Sequence, residues 1–389
     1  MSEQKKLYKI AAVKFGGLAA GGTEKWFQTI VANLPKDKFH VDYFYCDAAP
    51  YIGSDFRHPD TDPNRKKYLE DAGINLVKFK VGLKNIRVPT HDWVTTNFWT
   101  KFNESDYDVV ISARAGHAEY PFTKINNTPV VDFVTLPGMA ERKENTKAVV
   151  HISKFQADSW VSAGGEASKL EIIPAFSELS PPAVKSNLRE MFDIPETDFV
   201  FGFHQRDDDG IYSSVPLDAY AKIETDDTCF LLMGGSKLYT EQADRLGLKN
   251  FVQLDFSADQ DKLFQFLNTL NLYAHGRKDG ETFGMSISEA MSVGLPIVSH
   301  TAPNMGHLET IGNAGLISGN VDQYVQNLEL LMKDKELYKL LSTRAKQRFE
   351  TELSLEANMK KITDLLLKVA SSKELDGMIG DDFWETDWK

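Results

Sequence analysis

The chain alternates short apolar runs, typical of buried strands, with segments of helical periodicity, and it does so in two separate series. The first series opens with residues 9–15 (KIAAVKF), a glycine-rich turn and a helical segment over residues 25–34. The second opens with residues 198–204 (DFVFGFH) and continues through the helical residues 321–334. Strands that alternate with helices indicate a parallel sheet covered on both faces. We therefore expect an α/β fold with two such sheets.

A proline-rich segment separates the two series. Residues 171–186 (EIIPAFSELSPPAVKS) contain three prolines and break the periodic pattern, as a linker would. The chain has 389 residues, which is too long for one core of ordinary size. The expected domains are residues 1–178 and residues 179–360. Residues 361–389 are expected to form a helix and an acidic tail that return to the first domain.

Composition excludes several classes of protein. A formal net charge of −12 disfavours broad contact with a phosphate backbone, so we expect no nucleic-acid partner. No apolar run of about 18 residues occurs, and the start lacks the apolar core of a signal peptide.

Cys46 and Cys229 lie far apart in apolar runs, which predicts buried thiols in a reducing compartment, hence the cytoplasm. The slightly basic KKLYK near the start leaves a membrane-surface acceptor open, although no clear amphipathic basic helix supports one.

A glycine-rich loop joins the first strand to the first helix. Residues 16–24 read GGLAAGGTE, and backbone N–H groups in such a turn suit an anion. The glycines, Gly21 and Gly22 among them, would let a ligand approach the backbone closely. Asp47 lies where a ribose-binding acid of a dinucleotide fold would lie, but the G-x-G-x-x-G spacing is missing. The alternative is a plain tight turn without a ligand.

A second glycine-containing segment, residues 280–296 (GETFGMSISEAMSVGLP), leads from a strand and loop into a helix. We expect the helix to begin near Phe283 or Gly284. Free N–H groups of Gly284 and Met285 at this helix N-terminus would then suit a diphosphate.

Two glutamates flank this predicted helix start. Glu281 is expected in the loop before the helix, and Glu289 about a turn and a half into it. A carboxylate at Glu289 can accept two hydrogen bonds from a vicinal diol such as a ribose, and Glu281 can do the same for a sugar ring. The alternatives are two ordinary acids favoured by the helix dipole, or the carboxylate pair of a glycosidase.

Residues 281–299 resemble the E-x7-E signature of retaining glycosyltransferases of family four, which have the GT-B fold. The matching positions are Glu281, Phe283, Gly284, Glu289, Ala290, Met291, Gly294 and Pro296. The first domain of that family also opens with a strand, a glycine loop and G-G-x-E, which residues 21–24 match. The resemblance spans about residues 9–350 and is weakest over residues 50–105.

The resemblance implies an architecture and an activity. Two Rossmann-like domains with parallel sheets would face a central cleft. The enzyme would move a sugar from a nucleoside-diphosphate sugar, UDP- or GDP-linked, to a hydroxyl of a glycan, saccharide or lipid-linked acceptor, with retention of anomeric configuration. It implies no tightly bound cofactor and no metal.

The resemblance also implies roles for single residues. Glu289 would hold the donor ribose and Glu281 the hydroxyls of the transferred sugar. Gly284 and Met285, next to Phe283 of the signature, would bind phosphate or sugar through backbone amides. In the first domain, Gly21 and Gly22 would touch the diphosphate or the acceptor, and His117, in ISARAGHAEY, would line the sugar pocket. A structural histidine is the alternative for His117.

The family places an arginine and then a lysine after the first strand of the second domain, where they neutralise the leaving diphosphate. Arg206 can be the arginine, but the lysine is missing and Asp207, Asp208 and Asp209 follow instead. Either Arg277 or Lys278 would supply the second charge, or the donor site is altered. The three aspartates could be read as a metal site, although adjacent acids in a turn are usually solvated.

Four further residues lie where open α/β sheets bind ligands, at the carboxyl ends of predicted strands. They are the candidate donor contacts Gly235, Asn304, Met305 and Gly306.

Three other functions stay open. A non-catalytic GT-B protein that binds a nucleotide sugar or serves as a partner subunit would explain the missing lysine. A sugar-nucleotide epimerase or a phosphorylase could use the same architecture. A nicotinamide enzyme is disfavoured by the glycine spacing.

Overall fold

The protein is described by a computed structural model, which forms two compact units. The first comprises Met1–Ile173 and Asn358–Lys389, and the second Pro174–Ala357. The structure describes residues 6–19, 21–46, 60–82, 93, 95–114, 120–135, 143–178, 180–257 and 259–381.

Among its described residues, the first unit has seven strands and three α-helices before the chain leaves it at Ile173. The strands are β1 (Tyr8–Val13), β2 (Phe39–Cys46), β3 (Asn75–Phe79), β4 (Val109–Arg114), β5 (Val130–Val134), β6 (Thr146–His151) and β7 (Leu170–Ile172). The helices are α1 (Gly22–Ala32), α2 (Pro63–Asp71) and α3 (Lys154–Ser162). All strand pairs are parallel, in the order β3-β2-β1-β4-β5-β6-β7.

Local sequence explains where helices of the first unit begin. The Asp62 side chain accepts hydrogen bonds from the N–H groups of Asn64 and Arg65, and Pro63 fills the first helical position of α2. The Ser153 hydroxyl caps α3 by accepting a hydrogen bond from Gln156 N–H. Both caps place a helix directly after a loop at the edge of the sheet.

Among its described residues, the second unit has eight strands and seven complete α-helices. The strands are β8 (Phe199–Gln205), β9 (Thr228–Gly234), β10 (Phe251–Leu254), β11 (Leu272–Ala274), β12 (Gly280–Glu281), β13 (Ile297–His300), β14 (Asn304–Met305) and β15 (Gly315–Ser318). The helices are α4 (Val215–Tyr220), α5 (Leu238–Leu246), α6 (Gln260–Thr269), α7 (Met285–Ser292), α8 (Gly306–Ile311), α9 (Val321–Lys333) and α10 (Lys335–Arg348). A π-helical turn over Phe349–Leu353 follows, and the last helix, α11 (Leu355–Asp381), begins in this unit and belongs to the first unit from Asn358.

The main sheet of the second unit is also parallel throughout, in the order β10-β9-β8-β11-β13-β15, and a separate two-stranded sheet pairs β12 with β14. Counted from its own first strand, this order is 3-2-1-4-5-6, and the first six strands of the first unit have the same order. The strand order reverses between β1 and β4 and between β8 and β11. Ligands of doubly wound sheets bind outside the carboxyl ends of the strands at this reversal. The predicted α/β class with parallel sheets in two domains is confirmed.

Gly202 provides a test of the packing of the second sheet. It lies in β8 between β9 and β11, and a Cβ there would come within 2.2 Å of Leu231 O and 2.8 Å of Leu270 Cδ2. We expect Gly202→Ala to lower the free energy of unfolding by about 1–3 kcal/mol, because a methyl group would have to force two strands apart. Urea unfolding of the full chain measures the change.

Gly319→Ala is the matched control in the same unit. A Cβ at Gly319 would meet Gln323 Oε1 at 3.2 Å, the end of a side chain that can move aside. Equal destabilisation by the two substitutions would contradict the steric argument.

Candidate functional site

The carboxyl ends of β8 and β11 bring a set of charged and imidazole side chains together in the second unit. From β11 the chain passes through residues 275–279 into β12, and then through the three residues 282–284 into α7. β12 pairs with β14 through Gly280 and Asn304 and through Glu281 and Met305. Gly280 has φ +69°, and a Cβ there would lie 1.9 Å from Asn304 O, so glycine is required at this close approach. This pairing fixes the backbone that carries Glu281.

Helix α7 begins at Met285, after Gly284 in a left-handed conformation with φ +95°. A Cβ on Gly284 would be strained at this φ and would meet Ile287 Cδ1 at 3.0 Å and His307 Cβ at 3.3 Å. The N–H groups in the first turn of a helix have no carbonyl of that helix to donate to. Gly284 therefore allows a sharp entry that directs these donors towards the end of the sheet.

Glu289 is hydrogen-bonded to a histidine that the sequence analysis did not select. His204, near the end of β8, places its Nε2 2.9 Å from Glu289 Oε2, and the two side chains are 11% and 15% exposed. The hydroxyl of buried Tyr273, in β11, lies 3.2 Å from His204 Nδ1. Glu289 is the fifth residue of α7, slightly earlier in the helix than predicted.

Glu281 has a similar partner on the neighbouring strand end. His275 Nε2 lies 3.3 Å from Glu281 Oε1, and His275 Nδ1 lies 2.8 Å from the buried Ser299 hydroxyl. Arg277 Nη1 is 3.7 Å from Glu281 Oε2. Burial acts to raise the pKa of Glu281, but the hydrogen bond from His275 and the charges of His275 and Arg277 outweigh it and lower that pKa. Glu281 is therefore a carboxylate at neutral pH, in β12 rather than in the predicted loop.

Two further histidines behind Glu281 are held neutral. Burial, aided by the charge of His275, lowers the pKa of His307 to about 4, and burial also lowers the pKa of His300. His307 Nε2 donates to His300 O at 3.0 Å, so His307 Nδ1 carries the lone pair. Within the described part of the chain, this Nδ1 is buried without a hydrogen-bond partner.

The predicted cations form ion pairs with aspartates beside the two strand ends. Arg206 donates to Asp208 Oδ2 at 2.8 and 3.1 Å, and Arg277 donates to Asp279 at 2.7 and 3.1 Å. The Arg206 hydrogen bond, together with Gly210 N–H and the charge of Arg277, lowers the pKa of Asp208. Burial acts to raise the pKa of Asp279, but Arg277 and Arg206 lower it below its usual value. The two arginines thus share one electrostatic cluster.

Lys278 differs from its neighbour Arg277. Its side chain is exposed, and its backbone N–H donates to Ile211 O at 3.1 Å. Of the two residues that the sequence offered as a second charge, Arg277 is the one that the structure brings to Glu281.

The strand-end candidates after β9 and β13 have structural contacts. Gly234 and Gly235 have positive φ, and Gly235 N–H donates to Gln205 O, which ties the end of β9 to β8. Ser236 donates to Asp209 in a short hydrogen bond. Asn304 donates to Asp279 O at 2.9 Å from both its backbone and its side chain.

Met305 and Gly306 complete this connection. Met305 is 42% exposed, and a Cβ on Gly306 would lie 2.0 Å from Thr282 O. These residues hold β12 and the start of α8 in place, and so position Glu281 and Phe283. The carbonyl of Phe283 accepts a hydrogen bond from the Thr310 hydroxyl at 2.5 Å.

In the first unit, Gly21 and Gly22 lie at the start of α1, where Gly21 is the N-cap with φ −65° and ψ 159°. Thr23 shares a 2.6 Å hydroxyl contact with Thr135, and Glu24 lies 3.4 Å from the ammonium group of Lys14. His117 lies outside the described residues.

His204, His275, Tyr273 and Asp279 were missed because each is unremarkable within its own sequence segment. Strand position could have found two of them. His204 is the second-last residue of β8, and His275 directly follows β11. The strand order reverses between these two strands.

Across the described residues, no group of three or more histidine, cysteine, aspartate or glutamate side chains has the arrangement of a metal site. Among the helices that the structure describes, none is long and apolar enough to cross a membrane. Cys46 and Cys229 are both buried and are not joined by a disulfide, and burial raises the pKa of Cys229 to about 11.

Comparison with known proteins places this geometry in a wider context. Residues 184–348 match the family described as Glycosyl transferases group 1, so the second unit carries a domain of this group. Comparison with curated protein sequences yields no match. The matched residues 184–348 include β8, β11, β12 and α7. They therefore include both His–Glu pairs, His204 with Glu289 and His275 with Glu281.

Three solved structures show the same fold. They are Anabaena Alr3699/HepE in complex with UDP-glucose (TM-score 0.65, 17% identity, 94% of this chain and 100% of that chain covered), a glycosyltransferase from Rickettsia africae (0.70, 15%, 93% and 98%), and sucrose-phosphate synthase from Thermosynechococcus elongatus (0.67, 14%, 94% and 100%). The fold of this chain is accordingly the GT-B type, with two parallel-sheet domains.

One edge of the sheet combines carboxylates that can accept hydrogen bonds from hydroxyl groups, cationic side chains and helix N–H donors. Ionised Glu281 accepts hydrogen bonds, Arg206 and Arg277 carry positive charge, and the first turn of α7 offers N–H donors. A ligand that carries both hydroxyl groups and a diphosphate fits this set of groups.

The neutral state of His307 predicts acid sensitivity. Between pH 6.5 and about 4 the unfolded chain binds a proton at this imidazole that the folded chain does not, so the free energy of unfolding falls as the pH falls. The full shift corresponds to about 3 kcal/mol. We expect His307→Gln, which keeps an N–H donor for His300 O, to flatten this fall in urea unfolding at pH 6.5, 5.5 and 4.5.

His40→Gln serves as the control, because His40 is 48% exposed on β2. An unchanged pH dependence in His307→Gln would show that His307 is protonated in the folded protein. The slope that remains in the variant belongs to other buried imidazoles, such as His151, whose pKa burial lowers to about 4.

Proposed function

We propose that this protein is a retaining glycosyltransferase of family four. It moves a sugar from a nucleoside-diphosphate sugar to the hydroxyl of a glycan, saccharide or lipid-linked acceptor. The observation that carries the proposal is the pair of carboxylates, Glu281 and Glu289, on either side of the α7 N-terminus, each hydrogen-bonded to a histidine at a strand end.

The distribution of groups matches the parts of such a donor. Glu289 binds the ribose diol, Glu281 binds hydroxyls of the transferred sugar, and the N–H groups of Gly284 and Met285 bind the diphosphate between them. Phe283 and the strand-end residues Gly235, Asn304, Met305 and Gly306 shape the backbone around these contacts. The donor is a UDP- or GDP-sugar. Because the structurally similar Anabaena protein was solved in complex with UDP-glucose, UDP is the first nucleotide to test.

Charge stabilisation is the main catalytic contribution in this proposal. The diphosphate leaves with negative charge while the anomeric carbon gains positive character. Arg206, Arg277 and the α7 amides stabilise the leaving group, and no bond to an enzyme side chain is required. The reaction needs no metal and no tightly bound cofactor.

The first unit is the acceptor-side domain in this proposal, and Gly21, Gly22 and His117 contribute there to the acceptor or the diphosphate. The proposed location is the cytoplasm, which the two buried cysteines without a disulfide between them support.

One observation favours a second candidate, a non-catalytic protein that binds nucleotide sugars. Both arginines are already paired with aspartates, Arg206 with Asp208 and Arg277 with Asp279. If these pairs stay closed, the leaving diphosphate gains little stabilisation. Binding without turnover is the signature of this candidate, and product formation excludes it.

Nucleotide binding tests the role of Glu289. At about 100 times its dissociation constant, a nucleotide adds about 2.7 kcal/mol to the free energy of unfolding. We expect one of UDP, GDP, ADP, CMP or dTDP to raise the melting temperature of the wild type, and Glu289→Ala to lose most of that increase. Glu329→Ala, which removes a surface partner of Lys333 on α9, should respond like the wild type.

The same screen with nucleotide sugars selects the donor for activity measurements. NMR of the product identifies its anomer, and inversion would contradict the retaining assignment. If no nucleotide stabilises the wild type, the donor-binding proposal is wrong.

Arg277 and Lys278 form a matched pair for testing leaving-group stabilisation. We expect Arg277→Gln to lower kcat for the selected donor by about 100-fold, because the transition state loses one preorganised charge. Lys278→Gln, one residue away and exposed, should stay close to wild type. Steady-state release of the nucleoside diphosphate measures both, and a larger loss in the lysine variant would reverse the assignment.

A further inference from the structure

We propose that His204 is a positioning residue for Glu289, and that it sets the preference of the site for ribonucleotides over 2′-deoxyribonucleotides. The inference rests on the proposed function, in which Glu289 binds the ribose diol. His204 does not itself touch the nucleotide in this scheme. It acts by fixing the direction in which one carboxylate oxygen faces the ligand.

The two oxygens of Glu289 have different surroundings. Oε2 lies 2.9 Å from His204 Nε2, whereas Oε1 takes no hydrogen bond from any residue that the structure describes. The side chains of His204 and Glu289 are only 11% and 15% exposed, so water competes little for the hydrogen bond between them. One oxygen is therefore occupied by the protein, and the other is left for a ligand.

The hydrogen-bond partners of the two ring nitrogens assign the tautomer of His204. A carboxylate oxygen can only accept, so Nε2 must carry the hydrogen that it shares with Glu289. In the neutral ring Nδ1 is then an acceptor, and the Tyr273 hydroxyl, 3.2 Å from Nδ1 and 3.3 Å from His204 O, can donate to either of them. Burial raises the pKa of Tyr273 well above its usual value, so its O–H remains available at neutral pH.

Tyr273 is itself fixed in the sheet. It is fully buried in β11, and its hydroxyl also accepts from the backbone N–H of His204 at 3.3 Å. The ring of His204 is thus tied to β8 by its backbone and to β11 by Tyr273. These two strands lie on either side of the strand-order reversal, so contacts with both of them fix the orientation of Glu289.

The consequence for binding follows from the cost of ordering a side chain. A glutamate that is already held can accept hydrogen bonds from both ribose hydroxyls at once, whereas a free one must first be ordered by the ligand. A 2′-deoxyribose offers only one of these hydroxyls and gains less from the fixed geometry. Loss of the His204 donor should therefore weaken the ribonucleotide far more than its 2′-deoxy counterpart.

Isothermal titration with the full chain tests this inference. The probes are UDP and 2′-deoxy-UDP, with GDP and 2′-deoxy-GDP in parallel. We expect the wild type to prefer the ribonucleotide by about tenfold or more. His204→Leu should remove most of that preference by weakening ribonucleotide binding, whereas His204→Gln, which can supply an N–H donor to Glu289, should restore it. His40→Leu, at an exposed position of the first unit, controls for loss of a histidine.

The outcomes separate this inference from the proposed function. If the wild type binds neither nucleotide pair, both are wrong. If it binds with a ribose preference and His204→Leu weakens both members of a pair equally, His204 is only structural and the inference alone is overturned. Should His204→Leu fail to fold, Tyr273→Phe provides the test. It removes the donor to Nδ1, and an unchanged ribose preference in this variant would also overturn the inference.

Discussion

A carboxylate that is withdrawn from water must be paired, and this requirement organises the second unit. Glu281 and Glu289 lie at the edge of a fully parallel sheet, each largely removed from solvent. An unpaired carboxylate there would be destabilising, because burial disfavours a charge that has no partner. The fold supplies an imidazole to each from adjacent strand ends, His275 after β11 and His204 in β8. The strand order that creates the ligand-binding edge also brings the partners of its two acids into place.

The same edge carries positive charge that is balanced internally. Arg206 and Arg277 each have an aspartate partner two residues away, and Arg277 also lies 3.7 Å from Glu281, so both positive charges are compensated without a ligand. A diphosphate can recruit the arginines only by competing with Asp208 and Asp279. Asp208 is exposed enough for water to take over its solvation, which makes the exchange inexpensive at Arg206. Arg277, at 17% exposure and in contact with Glu281, is held more firmly. In the proposed site, Arg277 would take the role that the family pattern gives to a lysine, with its position set by Asp279 and Glu281.

Much of this architecture could be predicted from periodicity alone, and its chemistry only in part. Apolar runs and helical segments gave the α/β class and two parallel sheets, because burial leaves a direct mark on sequence. Glycine before a helix indicated the start of α7 to within two residues. The pairing of β12 with β14 left no such mark, since two-residue strands have no period, so Glu281 was expected in a loop. His204 was missed because it and Glu289, 85 residues apart in the chain, become neighbours only in the folded second unit. His275 lies only six residues before Glu281, but no sequence motif connects the two.

Fold similarity at 14–17% identity fixes where a ligand can bind and leaves open which ligand it is. Sheets with the order 3-2-1-4-5-6 place helix N-termini and strand ends at the same edge whatever side chains they carry. Chemical identity must come from residues that the sheet order does not dictate. In this chain those are the imidazoles that hold each carboxylate and the aspartates that hold each arginine. Because His204 leaves one oxygen of Glu289 for the ligand and His275 keeps Glu281 ionised, a ligand with hydroxyl groups on both sides of a diphosphate uses more of this edge than any simple anion.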